Sequence, residues 1–191
     1  MAQRGSYAKG VARREEILES ALEVIGRDGY QNASLKQIAH MVGVTPAALL
    51  HYFGSKEELF TEVLRKRDEH DGMDPRLADL ADPREGLIDV IRHNAEVPGL
   101  VELFSRLAVD AVDPEHPAHS YFLERSERLR EAVAAGLHRD STREPALDPD
   151  TMARVLQAVA DGLQLQWMID PTVDMADIVE RLIDALAPRR D

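Results

Sequence analysis

None of the 191 residues is cysteine, so neither a disulfide framework nor thiolate chemistry is available to this chain. That suits a reducing compartment, and the expected location is the cytoplasm. Aromatic residues are only 5% of the total and give no hint of a ligand's chemistry. No apolar run approaches the eighteen residues that a membrane-spanning helix needs, and the opening MAQRGSYAKGVARREE has no apolar h-region. Neither a membrane partner nor secretion by signal peptide is expected. A nucleophile elbow, a phosphate-cradling glycine loop and a His-Glu-x-x-His zinc motif are all missing, and the carboxylates are scattered over solvated helical positions. An enzyme is therefore not expected, and no cofactor is implied. The segment DPEHPAH, with His116 and His119 three apart and Asp113 and Glu115 nearby, lacks the four-ligand tetrahedral logic of structural zinc. Its two prolines read instead as an irregular connection into a helix, and no metal is expected.

The formal net charge is −12, which by itself argues against a polyanionic partner. Its distribution argues otherwise. Residues 1–56 hold seven Lys or Arg against five Asp or Glu, while residues 57–191 hold sixteen against thirty, and all four lysines (Lys9, Lys36, Lys56, Lys66) lie in the first third. The two parts are built for different partners.

Strand-like alternation is also scarce, and apolar residues recur at spacings of three and four almost everywhere, so the chain is all-α. A first helix is expected over about 10–28, with Ile17, Ala21, Val24 and Ile25 on one face, ending at Asp28-Gly29. Ser34 with Gln37 three residues on is a capping-box pair that opens a short helix broken at Gly43. Thr45 caps the next helix, with Pro46 at its first position, and Gly54 stops it. Ser55 with Glu58 opens a fourth helix to about His70. Beyond DGMDP at 71–75, the expected joint between two domains, helices follow near 83–96, 98–111, 117–138, 149–169 and 174–187. REPALDPD, residues 143–150, is expected to be a polar loop.

Two short helices about a three-residue turn, packed on a preceding helix, have the form of a helix-turn-helix, which places its second helix in the DNA major groove. Helices of about seven residues do not stand alone in water, so packing must hold them. Thr45, Ala47 and Ala48 are small enough to let the helix start approach base edges and thymine methyls. The helix starts at Ser34, Thr45 and Ser55 offer backbone N–H groups and positive dipole ends to phosphate, and Lys36, His51, Tyr52 and Lys56 add side-chain donors. For the three hydroxyls capping is the primary role. Phe53 is expected in the core, and the basic start, with Arg4, Lys9, Arg13 and Arg14, is either a solvated tail or an arm reaching a minor groove or phosphates.

SLKQIA at 34–39, VGVT at 42–45 and LLHYFGSKEEL at 49–59 together resemble the DNA-binding signature of the TetR family of bacterial transcriptional regulators. The resemblance covers about residues 12–60. It implies a homodimer reading a palindromic operator on double-stranded DNA and probing a small-molecule effector, of unknown identity, with its helical C-terminal part. It also implies DNA contacts by Thr45, Ala47, His51, Tyr52 and Lys56, the last three mainly at phosphates. Leu50 stands where many relatives carry Tyr, and Ala48 where a polar residue is common, so few side chains can make bidentate base contacts. The domain division that follows is 1–56, arm and DNA-binding helix-turn-helix, and 57–191, effector-binding and dimerisation.

Downstream, Met152, Val155, Leu156, Val159, Leu163 and Trp167 form one stripe, and Ile178, Val179, Leu182, Ile183 and Leu186 another. Each is either a core face or half of a symmetric four-helix interface, and reading a palindrome favours the dimer through 149–169 and 174–187. Candidate effector-pocket residues are Phe104, Leu107, Phe122, Trp167 and Met168 as walls and His93, Asn94, Arg106 and Gln164 as polar groups. The competing reading is a helical protein-binding module that keeps the helix-turn-helix as scaffold, favoured by the −12 charge.

Overall fold

The computed structural model describes residues 2–70, 83–140 and 147–187. The joint expected at 71–75 and the first half of the loop expected at 143–150 lie outside the described residues. Among the described residues all regular structure is helical: α1 (Ala2–Asp28), α2 (Leu35–Met41), α3 (Pro46–Phe53), α4 (Lys56–His70), α5 (Pro83–Asn94), α6 (Pro98–Asp110), α7 (Ala118–Asp140), α8 (Pro149–Ile169) and α9 (Met175–Leu186). The first helix starts at Ala2 rather than near residue 10, because no proline in that stretch stops it. None of these helices is long and apolar enough to cross a membrane.

The local grammar is realised atom by atom. Ser34 Oγ accepts from the Gln37 amide at 3.2 Å while Gln37 Oε1 accepts from the Ser34 amide at 3.0 Å, a complete capping box. Thr45 Oγ1 accepts from the Ala48 amide at 3.1 Å, and Ser55 Oγ from the Glu58 amide at 2.9 Å. Between α2 and α3 the chain turns at Gly43 with φ +65°, a left-handed conformation that an L side chain resists. Asp148 and Asp174 cap α8 and α9 through the amides of Thr151 and Asp177, each at 3.0 Å. The hydroxyl and amide of Thr151 hold the Asp148 carboxyl below the ordinary carboxylate range.

The chain packs as two units, and their division differs from a cut after residue 56: residues 1–70 join 97–119, and 71–96 join 120–191. In the first unit α1 packs on α2, α4 and α6. Ile17, Ala21, Val24 and Ile25 are fully buried there, with Ile38 and Ala39 of α2, Leu49 of α3, and Leu59, Val63 and Leu64 of α4 equally inaccessible. The short helices α2 and α3 thus exist by burial against longer ones. Helix α6 adds Val101, Leu103, Phe104 and Leu107 to this unit, beyond the packing expected from the first and fourth helices. Its start lies so close to α1 that a Cβ on Gly99 would fall inside contact distance of the Ile25 carbonyl oxygen and 2.9 Å from Gly29 Cα. Lys66 of α4 binds Glu15 and lies 3.4 Å from Glu19, both on α1; its hydrogen bond to Glu15 leads in raising its pKa.

The second unit is centred on Ile88 and Ile91 of α5, Met152, Leu156 and Leu163 of α8, and Met175, Ala176, Val179 and Ile183 of α9, with Val159 and Trp167 packed against them. Most of the two C-terminal stripes is therefore core of this unit. A different line of α8 is left open: Ala158 is exposed, no atom lies within 4 Å of where a Cβ on Gly162 would sit, and Leu165 and Ile169 are 52% and 86% exposed. On α9 Ile178 is 40% exposed.

Candidate nucleic-acid interface

Helix α3 divides cleanly. Leu49 and Phe53 are buried, while Thr45, Pro46, Ala47 and His51 are exposed and Ala48, Leu50 and Tyr52 half-buried. Positions 47, 48, 51 and 52 are one turn apart and share the outer face. Small residues occupy its first turn and ring-bearing donors its last, where the His51 and Tyr52 rings meet edge to face at 6.4 Å. Ser34, Lys36 and Gln37 are exposed at the start of α2, and Lys56, Glu57 and Glu58 at the start of α4. Lys56 is held over two aromatic faces, with Nζ 5.9 Å from the centroid of Tyr30 and 5.1 Å from that of Phe60. These rings meet each other edge to face at 5.5 Å. Burial leads in raising the Tyr30 hydroxyl pKa, which keeps the ring neutral beside the ammonium.

Two arginines expected as possible DNA-reaching groups do something else. Arg13 donates to the Val42 carbonyl at the end of α2 and pairs with Glu16 at 2.6 Å. Arg14 donates to the Tyr52 carbonyl at 2.7 Å, pairs with Glu62 at 2.9 Å and lies 4.3 Å from the centroid of Phe53. Both sit in the middle of α1 and tie down the C-terminal ends of the two short helices, whose last carbonyls lack intrahelical partners. Sequence spacing alone does not reveal this role, because the partners are 29 and 38 residues away. Arg14→Ala is expected to cost about 1–2 kcal/mol, since it removes a part-buried hydrogen bond and a cation–π contact. Chemical denaturation measures this, and a loss under about 0.3 kcal/mol would mean the guanidinium is not holding α3.

The candidate pocket residues divide between the two units. Phe104 and Leu107 are each 2% exposed in the first unit's core, and Arg106 bonds Glu102 at 2.8 Å and lies 5.8 Å from the Tyr30 centroid. In the second unit Asn94 and Gln164 are buried, Phe122 meets Tyr121 edge to face at 5.0 Å, Trp167 and Met168 are half-buried, and exposed His93 lies 3.4 Å from Glu96. In the Asp113–His119 segment His119 Nδ1 lies 2.8 Å from the Ala111 carbonyl oxygen and His116 Nδ1 accepts from the Ala118 amide at 3.1 Å. Both imidazoles thus shape the α6–α7 connection, and among the described residues no group of three His, Asp or Glu could hold a metal ion.

Helix caps facing outward, a small-residue helix start and clustered donors on a buried three-helix base define a helix-turn-helix DNA-binding protein with a second helical unit. The sequence model described as "Bacterial regulatory proteins, tetR family" matches residues 17–63, and "BetI-type transcriptional repressor, C-terminal" matches residues 100–188. The regulator BetI of Agrobacterium fabrum is 30% identical over 163 residues, which are 81% of this chain and 76% of that one. The repressor AcnR of Corynebacterium efficiens is 30% identical over 162 residues, 81% of each chain. Among solved structures, a TetR transcription regulator from Haloarcula marismortui superposes with a TM-score of 0.70 at 19% identity over 93% of this chain and 99% of its own. A transcriptional regulator from Saccharomonospora viridis, solved with choline, gives 0.63 at 23% identity over 90% and 93%. The chain belongs to the TetR family of bacterial transcriptional regulators. It is a DNA-binding transcriptional repressor.

Proposed function

We propose that this repressor works in the cytoplasm as a homodimer on a palindromic operator, with residues 1–56 as its DNA-binding part and 57–191 as its effector-binding and dimerisation part. The outer face of α3 carries the reading: Thr45, Pro46, Ala47 and Ala48 enter the major groove, where their small side chains allow close approach. Ser34, Lys36, His51, Tyr52 and Lys56 take phosphates on either side of that helix. The observation that carries this is the division of α3, with Leu49 and Phe53 buried beneath an outer face on which no large side chain blocks the first turn. Most of the affinity is then electrostatic, supplied by the 1–56 segment against the acidity of the remainder. Two copies meet through α8 and α9, supported by the open line Ala158, Gly162, Leu165 and Ile169 with Ile178. An effector held in the second unit, where His93, Asn94, Phe122, Gln164, Trp167 and Met168 lie, favours a dimer whose reading helices no longer match successive major grooves.

Titration of upstream DNA at several salt concentrations tests the phosphate assignments. Lys56→Ala is expected to shallow the slope of log K against log salt by about one unit, and Lys56→Ala and His51→Ala are each expected to weaken binding for all sequences alike. An unchanged slope and affinity in both variants would remove Lys56 and His51 from the interface.

A further inference from the structure

The lysine that opens α4 stands where electrostatics disfavours it. Lys56 is the first residue of that helix, beside the positive end of the dipole, whereas a cation is ordinarily favoured at the other end. No carboxylate compensates. Among the described residues Lys56 forms no ion pair, and the nearby Glu58 carboxylate lies against Gly54. Lys66, further along the same helix, is by contrast met by Glu15, Glu19 and Glu69. What Lys56 has instead is the pair of rings, Tyr30 and Phe60, over which its Nζ is held. The difference is chemical. A carboxylate would neutralise the ammonium and occupy its donors, while the negative face of a ring attracts the charge and leaves all three N–H groups unspent.

The local sequence fixes the ring that does this. Helix α1 ends at Asp28, and Gly29 takes φ +80°, its amide donating to the Ile25 carbonyl at 3.0 Å. The turn is closed by the Ala33 amide on the Gly29 carbonyl at 3.0 Å and by the Asn32 side chain on the Asp28 carbonyl at 2.9 Å. Tyr30 therefore leaves α1 at a defined point. Phe60, one turn beyond Lys56 on α4 and 1% exposed, backs it edge to face. From α6, Glu102 accepts from Gln31 at 2.8 Å beside the ring, and the Arg106 guanidinium lies against it. That second cation is paired with Glu102 at 2.8 Å, so its charge is met within α6. Of the two cations on Tyr30, Lys56 is the one whose charge is left over, and it is exposed at the DNA-binding surface.

We propose that Tyr30 is the positioning residue of the DNA contact at Lys56: its ring, backed by Phe60, orders the Lys56 side chain before DNA arrives while leaving the ammonium available to a phosphate. This rests on the reading that Lys56 takes a phosphate. Ordering a long side chain in advance removes a cost that would otherwise be met on binding, so Tyr30 contributes to affinity through Lys56 and without reading bases.

The test is a double-mutant cycle on the full-length chain, titrated with a duplex selected from a random-sequence pool by the wild-type protein. Tyr30→Leu is expected to weaken binding about 2–5-fold, the worth of an exposed cation–π contact. Tyr30→Phe, which keeps the ring, is expected to match the wild type. In the Lys56→Ala background Tyr30→Leu is expected to cost nothing more, because the group it positions is gone. Thermal unfolding without DNA is measured for every variant, and Tyr30→Met takes the place of Tyr30→Leu should the latter not fold. An equal loss in both backgrounds would mean that Tyr30 serves packing alone, and it overturns the proposal, as does wild-type affinity in Tyr30→Leu or a loss in Tyr30→Phe matching that in Tyr30→Leu. In those cases an effect of Lys56→Ala by itself leaves the phosphate reading standing. That reading falls separately, and the positioning role with it, if Lys56→Ala changes neither affinity nor salt slope.

Discussion

Leu165→Glu combined with Ile169→Glu is expected to leave the chain monomeric and to weaken operator binding by about 10³-fold, towards the affinity of non-specific contact. Both side chains stand on the open line of α8, 52% and 86% exposed, so in an isolated chain the carboxylates remain hydrated and the fold is not disturbed. In a symmetric interface the same two positions would bring four carboxylates into an apolar seam, where unpaired charge costs several kcal/mol per ion. The seam also needs its small members: Ala158 and Gly162 precede the two large residues at spacings of four and three, allowing helices to approach closely. Sedimentation measures the mass and circular dichroism the fold. A double variant that sediments as a dimer with unchanged helicity would place the interface elsewhere.

The second large effect is expected at Gly99→Ala, with a loss of about 3 kcal/mol. The added methyl has no flexible neighbour to displace. It meets the Ile25 carbonyl and the Gly29 backbone, so α6 must lift from α1 as a body and draw Leu100, Val101 and Phe104 with it. Gly26→Ala is the matched control, one turn away on α1 with nothing within 4 Å of its Cβ position. That change is expected to stabilise by about 0.5–1 kcal/mol, because alanine gives up less backbone freedom in a helix. Equal effects in the two variants would show that the close approach of α6 to α1 is not what Gly99 serves.

These two cases mark what the sequence discloses and what it withholds. Helix ends were legible because a cap is decided within four residues: Ser34 and Gln37, and Thr45 and Ala48, find each other at the spacing their types suggest. The outer face of α3 was legible for the same reason, since Leu49 and Phe53 fix which side is inward. The partners of Arg13 and Arg14 were not, because a guanidinium in a basic stretch gives no sign of whether it meets a phosphate or a distant carbonyl. Nor was the open seam of α8. The strongest stripe in that helix, running from Met152 through Leu156 to Leu163, fills the unit's own core, while the line left uncovered is half alanine and glycine and scarcely registers as apolar. The return of α6 to α1 stayed hidden as well, because a glycine in a helix start signals equally a flexible joint and a tight fit.

The discontinuity of the first unit has a practical meaning. The chain passes from one unit to the other three times, after residues 70, 96 and 119, so no single cut yields a self-sufficient reading head. A fragment ending at His70 would leave bare the faces of α1 and α4 that α6 covers. A chimaera meant to transplant this DNA specificity onto another sensor must carry 97–119 along with 1–70, as two separate insertions rather than one module.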